Sequence, residues 1–451
     1  MLQLVSSGLV GMWLNMAGVD PATANPAQTF TWQGLSWLNP PTAVEPGVTK
    51  TIDGYLQTLK AQGLDPNKQA IWLRTDTAQL IDRNGNIPVP AASLTKTATT
   101  LAALKTWGLE RRFDTFISTT GKIEGGVLQG DLVVQGGGDP LFVWEDAIAV
   151  ARDLQKLGIN SIAGNLIVAG NFHMNYKADP QKAGELFKQG LAGQNLPADL
   201  LAWIDRDVNV VKLPKAKSTV TTKAPQIPIT GQILLAPTPP SNTTPLVRHQ
   251  SLTLLDIVRQ MNIYSNNEVA QILADNLGGA EKVMEIASKT ANFPREEIQI
   301  INGSGLGTEN RLSPRAVCQI FRTLHQMVQP VNLTIGDLFP ISGVEKIGTM
   351  KDRNMPQGTV MKTGTLNEVS ALGGVLPTYD RGLVWFVIVN KGTQISKLRQ
   401  EQDRLLQNLV SQWGKPKPLP LAVARHDNNL AYFGDPDRNQ IIMPQDEKQG
   451  G

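Results

Sequence analysis

The sequence predicts an α/β (α+β) fold: a core with strands towards both ends of the chain, helices between them, and one long insertion. Three observations predict it. Short β-like runs occur early, at 69–75 and 79–82, and again late, at 360–365, 369–376 and 382–390. Helical periodicity fills the segments beginning near 93, 251 and 313. Between 113 and 248 the character changes to short β-like runs punctuated by glycine-rich turns.

Taken in order, the two early strands are followed by an Asn84-Gly85 turn signal, after which Pro88 and Pro90 hold the chain extended. A helix is expected from about 93 to 107. Leu94, Ala98, Leu101 and Leu104 form its buried stripe, and Gly108 is its stop. The insertion carries β-like runs at 113–119, 132–135 and 162–169 and proline punctuation at 236–245, so it reads as mainly β with a small core of its own. Helical periodicity then runs from about 251 to 277, and 292–311 is a strand-and-turn region. A further helix opens at Ser313-Pro314, an N-cap followed by proline at the first helical position. After the three late strands, a final amphipathic helix covers 395–413. Ile395, Leu398, Leu405, Leu409 and Trp413 lie on one side of it, and Gly414 follows. These readings divide the chain into 1–24 (signal peptide), 25–50 (leader), 51–112 with 249–413 (catalytic domain), 113–248 (inserted domain) and 414–451 (flexible tail).

The signal peptide rests on the uncharged stretch 1–19, apolar from Leu9 to Val19, and the small-x-small Ala22-Thr-Ala24 after it. It lacks a basic leading region, since the first Lys or Arg is Lys50, so a weak membrane anchor is the alternative. No later segment has the ~18 apolar residues of a membrane span. At 451 residues, with 41% hydrophobic and 18% charged side chains, the chain suits a two-domain globular protein. A net charge of +3 without a Lys/Arg run argues against a nucleic-acid partner. Cys318 is the one cysteine, which excludes an internal disulfide, and its helical setting reads as a buried structural thiol. His173, His249, His325 and His426 form no ligand spacing, so no metal or cofactor is expected.

Three short motifs carry chemistry. Ser93-Leu-Thr-Lys96 places a hydroxyl and an amine three residues apart at a helix start, on one face. A serine becomes a nucleophile when a base takes its proton. Lysine can be that base if burial or a nearby cation lowers its pKa, and Lys362 is the candidate cation. Ser265-Asn-Asn267 offers a proton relay at Ser265 and a hydrogen bond from Asn267 to the acyl-side amide of a substrate. Tyr264-Ser265-Asn266 is an overlapping reading with Tyr264 as the relay; one residue turns a helix by about 100°, so the two exclude each other. Lys362-Thr363-Gly364-Thr365 supplies an amine and two hydroxyls for a carboxylate. Gly364 permits close backbone approach. The backbone N–H groups of Ser93 and Thr365 are the natural oxyanion hole. Each string alone is common: S-x-x-K suits any surface helix, and Ser and Asn are ordinary cap residues. Their order and their elements give the set its weight. Gly303-Ser-Gly305-Leu-Gly307 is a decoy that lacks the third glycine of a dinucleotide fingerprint, and Ser304 reads as a turn residue.

With their surroundings, these motifs resemble the D-alanyl-D-alanine carboxypeptidase/endopeptidase family among the low-molecular-mass class C penicillin-binding proteins. Gln135-Gly-Gly-Gly-Asp139-Pro140, Asn302-Gly-Ser-Gly-Leu306, Asn310-Arg-Leu-Ser-Pro314 and Val369-Ser-Ala-Leu372-Gly373 agree as well, over about 50–413. The resemblance implies a penicilloyl-serine transferase (β-lactamase/transpeptidase-like) core with an antiparallel sheet and helices, plus the inserted domain. It implies a serine DD-peptidase that cleaves D-Ala-D-Ala ends, D-Ala–diamino acid cross-links, or both, through an acyl-enzyme. Its partners would be peptidoglycan stem peptides and β-lactam antibiotics, its location periplasmic, with peripheral membrane association open. Asn302 departs from the Asp of many relatives, and the insertion is shorter than in the larger members. A β-lactamase would need an extra deacylating glutamate, for which no candidate stands out; an inactive cell-wall-binding scaffold would not need three intact motifs.

Overall fold

The computed structural model describes residues 46–200, 225–345, 347–426 and 433–443. The expected signal peptide, and the leader up to residue 45, lie outside the described residues. In chain order the principal elements are α1 (Pro46–Ala61), β1 (Ala70–Arg74), β2 (Gln79–Arg83), β3 (Val89–Pro90), α2 (Thr95–Trp107), β4 (Asp114–Thr119), β5 (Leu132–Gly137), α3 (Trp144–Lys156), β6 (Leu166–Asn171), α4 (Pro180–Ala192), β7 (Ile233–Ala236), β8 (Thr244–Gln250), α5 (Leu254–Tyr264), α6 (Asn267–Asn276), α7 (Ala280–Ala291), β9 (Ile298–Gln299), β10 (Arg311–Leu312), α8 (Pro314–Val328), β11 (Val360–Leu366), β12 (Val369–Thr378), β13 (Gly382–Lys391), α9 (Ile395–Trp413) and β14 (Asn439–Ile441).

Early and late strands join in one antiparallel sheet of order β11-β12-β13-β1-β2. Because side chains alternate across a strand, β1 sends Ile71 and Leu73 to one face and Ala70 and Trp72 to the other. The first face packs on α1 and α9, through Tyr55, Leu59, Leu398, Leu405 and Leu409. The second packs on the helices around α2, through Leu94, Leu101, Phe321 and Trp385. A sheet buried on both faces reads as nearly continuous apolar runs. Accordingly every residue of β12 is buried. Beside it, buried Asn390 of β13 is satisfied in a chain of bonds: Tyr55 Oη and Gln402 Nε2 each donate to Asn390 Oδ1 at 2.8 Å, and Asn390 Nδ2 donates to Gln69 Oε1 at 2.9 Å.

The inserted region holds a six-stranded sheet, β7-β6-β5-β4-β8-β14, with β7, β6 and β5 parallel and the other pairs antiparallel. Its own core includes Ile117, Val134, Phe142, Phe172 and Phe187. Two helices, α3 and α4, pack on it that the sequence reading did not assign. The Ala147, Val150, Ala151 and Leu154 stripe of α3 is buried there, and α4 opens on Asp179, whose side chain accepts from Lys182 N, with proline next.

Two further expectations are corrected. The leader was to extend to residue 50, but α1 begins at Pro46, because Val48, Ile52, Tyr55 and Leu56 already share a buried helical face. The helical stretch 251–277 ends one helix and begins another within 262–268, as the Ser265 motif suggests, with Ser265 at a left-handed φ of 55° between them. The described parts of 414–451 are packed, not a flexible tail. Arg425 donates to Gly336 O at 3.1 Å and pairs with Glu345, and β14 pairs with β8. Within the rest of the sequence, the helix at Ser313-Pro314, α9 and the late strands form as expected.

Candidate active site

A short turn, Ala92–Leu94, leads into α2. Ala92 is buried with a left-handed φ of 47°, a conformation that costs an alanine roughly 1–2 kcal/mol. That kink leaves Ser93 half-buried at the mouth of a cleft and puts Lys96 one turn further in, fully buried. Lys96 Nζ donates to Ser93 Oγ at 2.9 Å, Asn267 Oδ1 at 2.7 Å and the Ser304 carbonyl at 2.7 Å. Burial lowers the Lys96 pKa to about 7, against a smaller upward pull from Glu268.

The break between α5 and α6 presents the second motif. Ser265 caps α5 in the left-handed region, and Asn266 caps α6 by accepting from Val269 N at 3.0 Å. Ser265 Oγ accepts from Lys362 Nζ at 2.7 Å. Asn267 opens α6 and reaches Lys96, which is the nearest use of its carbonyl oxygen. Tyr264 is 53% exposed and is not among the residues lining the cleft, so the geometry favours the Ser265 register.

Lys362 is fully buried on β11, where Nζ also donates to Thr363 O at 2.9 Å. Burial first, and then the neighbouring Lys96 charge, hold its pKa well below the usual lysine value. Burial is the largest cause at both lysines, and the repulsion between their two charges disfavours having both protonated at once. Gly364 has a different reason than expected. A Cβ there would lie 3.0 Å from Ala91 O, Ala92 Cβ and Ser93 N, so the space is taken by the protein's own turn. The absence of that Cβ lets β11 lie against the Ser93 turn.

The sequence reading missed the third wall. Asn302 Oδ1 accepts from Ser304 N at 3.1 Å, Ser304 Oγ at 2.9 Å and Gly305 N at 2.8 Å. This ties the loop that offers the Ser304 carbonyl to Lys96. Ser304 is therefore a turn residue, and an amide oxygen at 302 does this without a carboxylate. Gly305 has φ 81°, and a Cβ on it would come 1.9 Å from Ala92 O. The cleft, of about 360 Å³, is lined by Ser93, Ser265, Asn267 and Thr363–Thr365, and also by Gly348, Thr349, Asp352, Arg353 and Arg399. No motif flagged this second group. Arg399 looks like any charge on the solvent side of an amphipathic helix.

The chain matches the model of the D-Ala-D-Ala carboxypeptidase 3 (S13) family over residues 53–188 and 219–411. It belongs to that family. As an S13 member it is a serine-type D-Ala-D-Ala peptidase, a hydrolase. Carboxypeptidase DacB of Mycolicibacterium smegmatis is 24% identical over 402 residues, covering 78% of this chain and 84% of that protein. D-alanyl-D-alanine carboxypeptidase DacB of Haemophilus influenzae is 22% identical over 413 residues, covering 72% and 85%. Among solved structures, the predatory endopeptidase Bd3459 of Bdellovibrio bacteriovorus, in complex with immunity protein Bd3460, superposes with a TM-score of 0.67 at 19% identity over 82% of this chain and 98% of that one. Penicillin binding protein 4 (dacB) of Haemophilus influenzae gives 0.59 at 20% identity, over 79% and 99%. These likenesses show that the chain shares the fold of those structures.

Proposed function

We propose that Ser93 is the acyl-accepting nucleophile and Lys96 its general base, in a DD-peptidase that acts on peptidoglycan stem peptides in the periplasm and is acylated by β-lactams. The observation that carries this is the set of contacts around Lys96. Two of its three partners, Asn267 Oδ1 and the Ser304 carbonyl, can only accept. When the amine is neutral they hold its two N–H bonds, and its lone pair faces the remaining partner, the Ser93 hydroxyl. A pKa of about 7 makes that neutral form available near neutral pH.

In this reading Ser93 Oγ attacks the carbonyl carbon of the penultimate D-Ala while its proton passes to Lys96. The N–H groups of Ser93 and Thr365 hold the developing oxyanion. Collapse breaks the amide bond, and the leaving amine takes a proton from the Lys362–Ser265 pair. Water then cleaves the ester by the reverse route. Asn267 Nδ2 serves the acyl-side amide, and Lys362, Thr363 and Thr365 serve the leaving group's carboxylate. Residues 51–112 with 249–413 form the catalytic unit in this scheme, with 113–248 inserted. A labelled penicillin with peptide mass mapping tests the assignment. The label is expected on the peptide containing Ser93 and absent from Ser93→Ala; label retained by that variant overturns it.

A further inference from the structure

Two cationic side chains, Arg353 and Arg399, line the cleft, and two more, Lys96 and Lys362, lie buried behind its lining residues Ser93 and Ser265; three of the four are committed. Lys96 is spent on Ser93, Asn267 and the Ser304 carbonyl. Lys362 is held by Ser265 and the Thr363 carbonyl. Arg353 is buried against Asp403, at 2.6 Å, and donates to Gln402 Oε1 at 3.2 Å. Arg399 differs. It stands one turn before Asp403 on α9, half-buried, and Nη2 donates to Thr365 Oγ1 at 2.6 Å. Among the described residues no carboxylate pairs with it, and Asp352, the acid that lines the cleft, is in no salt bridge with it.

We propose that Arg399 is a specificity residue that binds the free carboxylate of the leaving D-amino acid, beside the Thr365 hydroxyl. The inference rests on the reading of Ser93 as nucleophile and adds the residue that reads the leaving group's charge. Thr365 is two residues beyond Thr363 on β11, so both hydroxyls and the Arg399 fork border the same end of the cleft. A guanidinium carries a fixed charge and matches a carboxylate with paired N–H bonds. Lysine at 362 does so less well, because burial and Lys96 both disfavour its charged form. Arg399 thus adds a fixed positive charge, from α9 and outside the three motifs, to the Lys362, Thr363 and Thr365 groups assigned to the leaving group's carboxylate. An unamidated leaving residue carries this carboxylate whether it is D-Ala or the D-centre of a cross-link. Arg399 therefore selects for charge and leaves the size of the leaving residue to other walls.

Arg399→Gln tests this with two substrates: an acylated Lys-D-Ala-D-Ala and its C-terminal amide. For the free acid, kcat/KM is expected to fall by about 10- to 100-fold, carried mainly by KM. For the amide it should change less than about twofold, since the lost partner was not in use. Arg399→Lys should recover part of the loss. An unchanged value for the free acid, or an equal loss on both substrates, overturns the proposal. The underlying reading fails separately: wild-type enzyme that cleaves the free acid with no label on Ser93 refutes the nucleophile, whatever Arg399→Gln does.

Discussion

If Lys96 is the general base, as proposed, it sets the conditions under which the site works. Its amine is pushed down to about 7 by burial, so the neutral form is the minor one in acid and the major one in mild alkali. Acylation by a chromogenic β-lactam should fall about tenfold per pH unit below 7 and level off above it. A flat profile between pH 5 and 9 would remove Lys96 as the base. The same shift bears on stability. The folded value of about 7 lies below the ordinary 10.5, so the unfolded chain binds more protons between them. The destabilising contribution is full below about pH 7 and is relieved as pH rises towards 10.5. The identities of Ser93, Lys96, Ser265 and Lys362 were legible because each motif is local in sequence. Their environment was not: the Ser304 carbonyl that fixes Lys96 comes from 208 residues away. Arg399 carries no local signal either.

The junction of α5 and α6 shows how a backbone break does chemical work. Helical periodicity runs on both sides of it, and a single left-handed residue, Ser265, separates them. The break turns Ser265 Oγ towards Lys362 and starts α6 so that Asn267 meets Lys96. Ser265→Ala should lower acylation at least tenfold, whereas Tyr264→Phe should stay within about twofold of wild type, by the same β-lactam assay. The opposite ranking would restore Tyr264 as the relay. The break itself was foreshadowed by the Ser-Asn-Asn run, whose members are cap residues. The helices of the insertion had signals too, the α3 stripe and the Asp179-Pro180 start. The surrounding glycine-rich turns drew the reading towards strands.

The C-terminal segment binds the two halves of the molecule. After α9 it crosses the helical side of the core, where Arg425 meets Glu345 and the Gly336 carbonyl, and β14 then completes the inserted sheet. Arg438 sits at that end, buried against Asp146 and donating to Gln250 O at 3.1 Å. Removing one partner of a buried pair leaves the other uncompensated, at a cost of about 3–5 kcal/mol. Arg438→Ala should therefore lower stability by about that amount in chemical denaturation; a loss under ~1 kcal/mol would show the pair to be expendable. This segment looked like a tail because β14 is three residues long and its stability comes from pairing, which no local pattern announces.

The central sheet joins its first strand in the chain, β1, to its last, β13, with Ala70 opposite Val389. The Gln69 side chain meets Asn390, 321 residues further on. Such distant pairing must close a long loop before any contact rewards it, and it slows folding. It also has a temporal meaning. Lys362 and the oxyanion-side strand arrive late in synthesis, so a growing chain carries Ser93 for most of its length without the wall that completes the cleft. On the proposed assignment the nucleophile is made early but inert, and it gains reactivity only when β11 has joined the sheet that β1 begins.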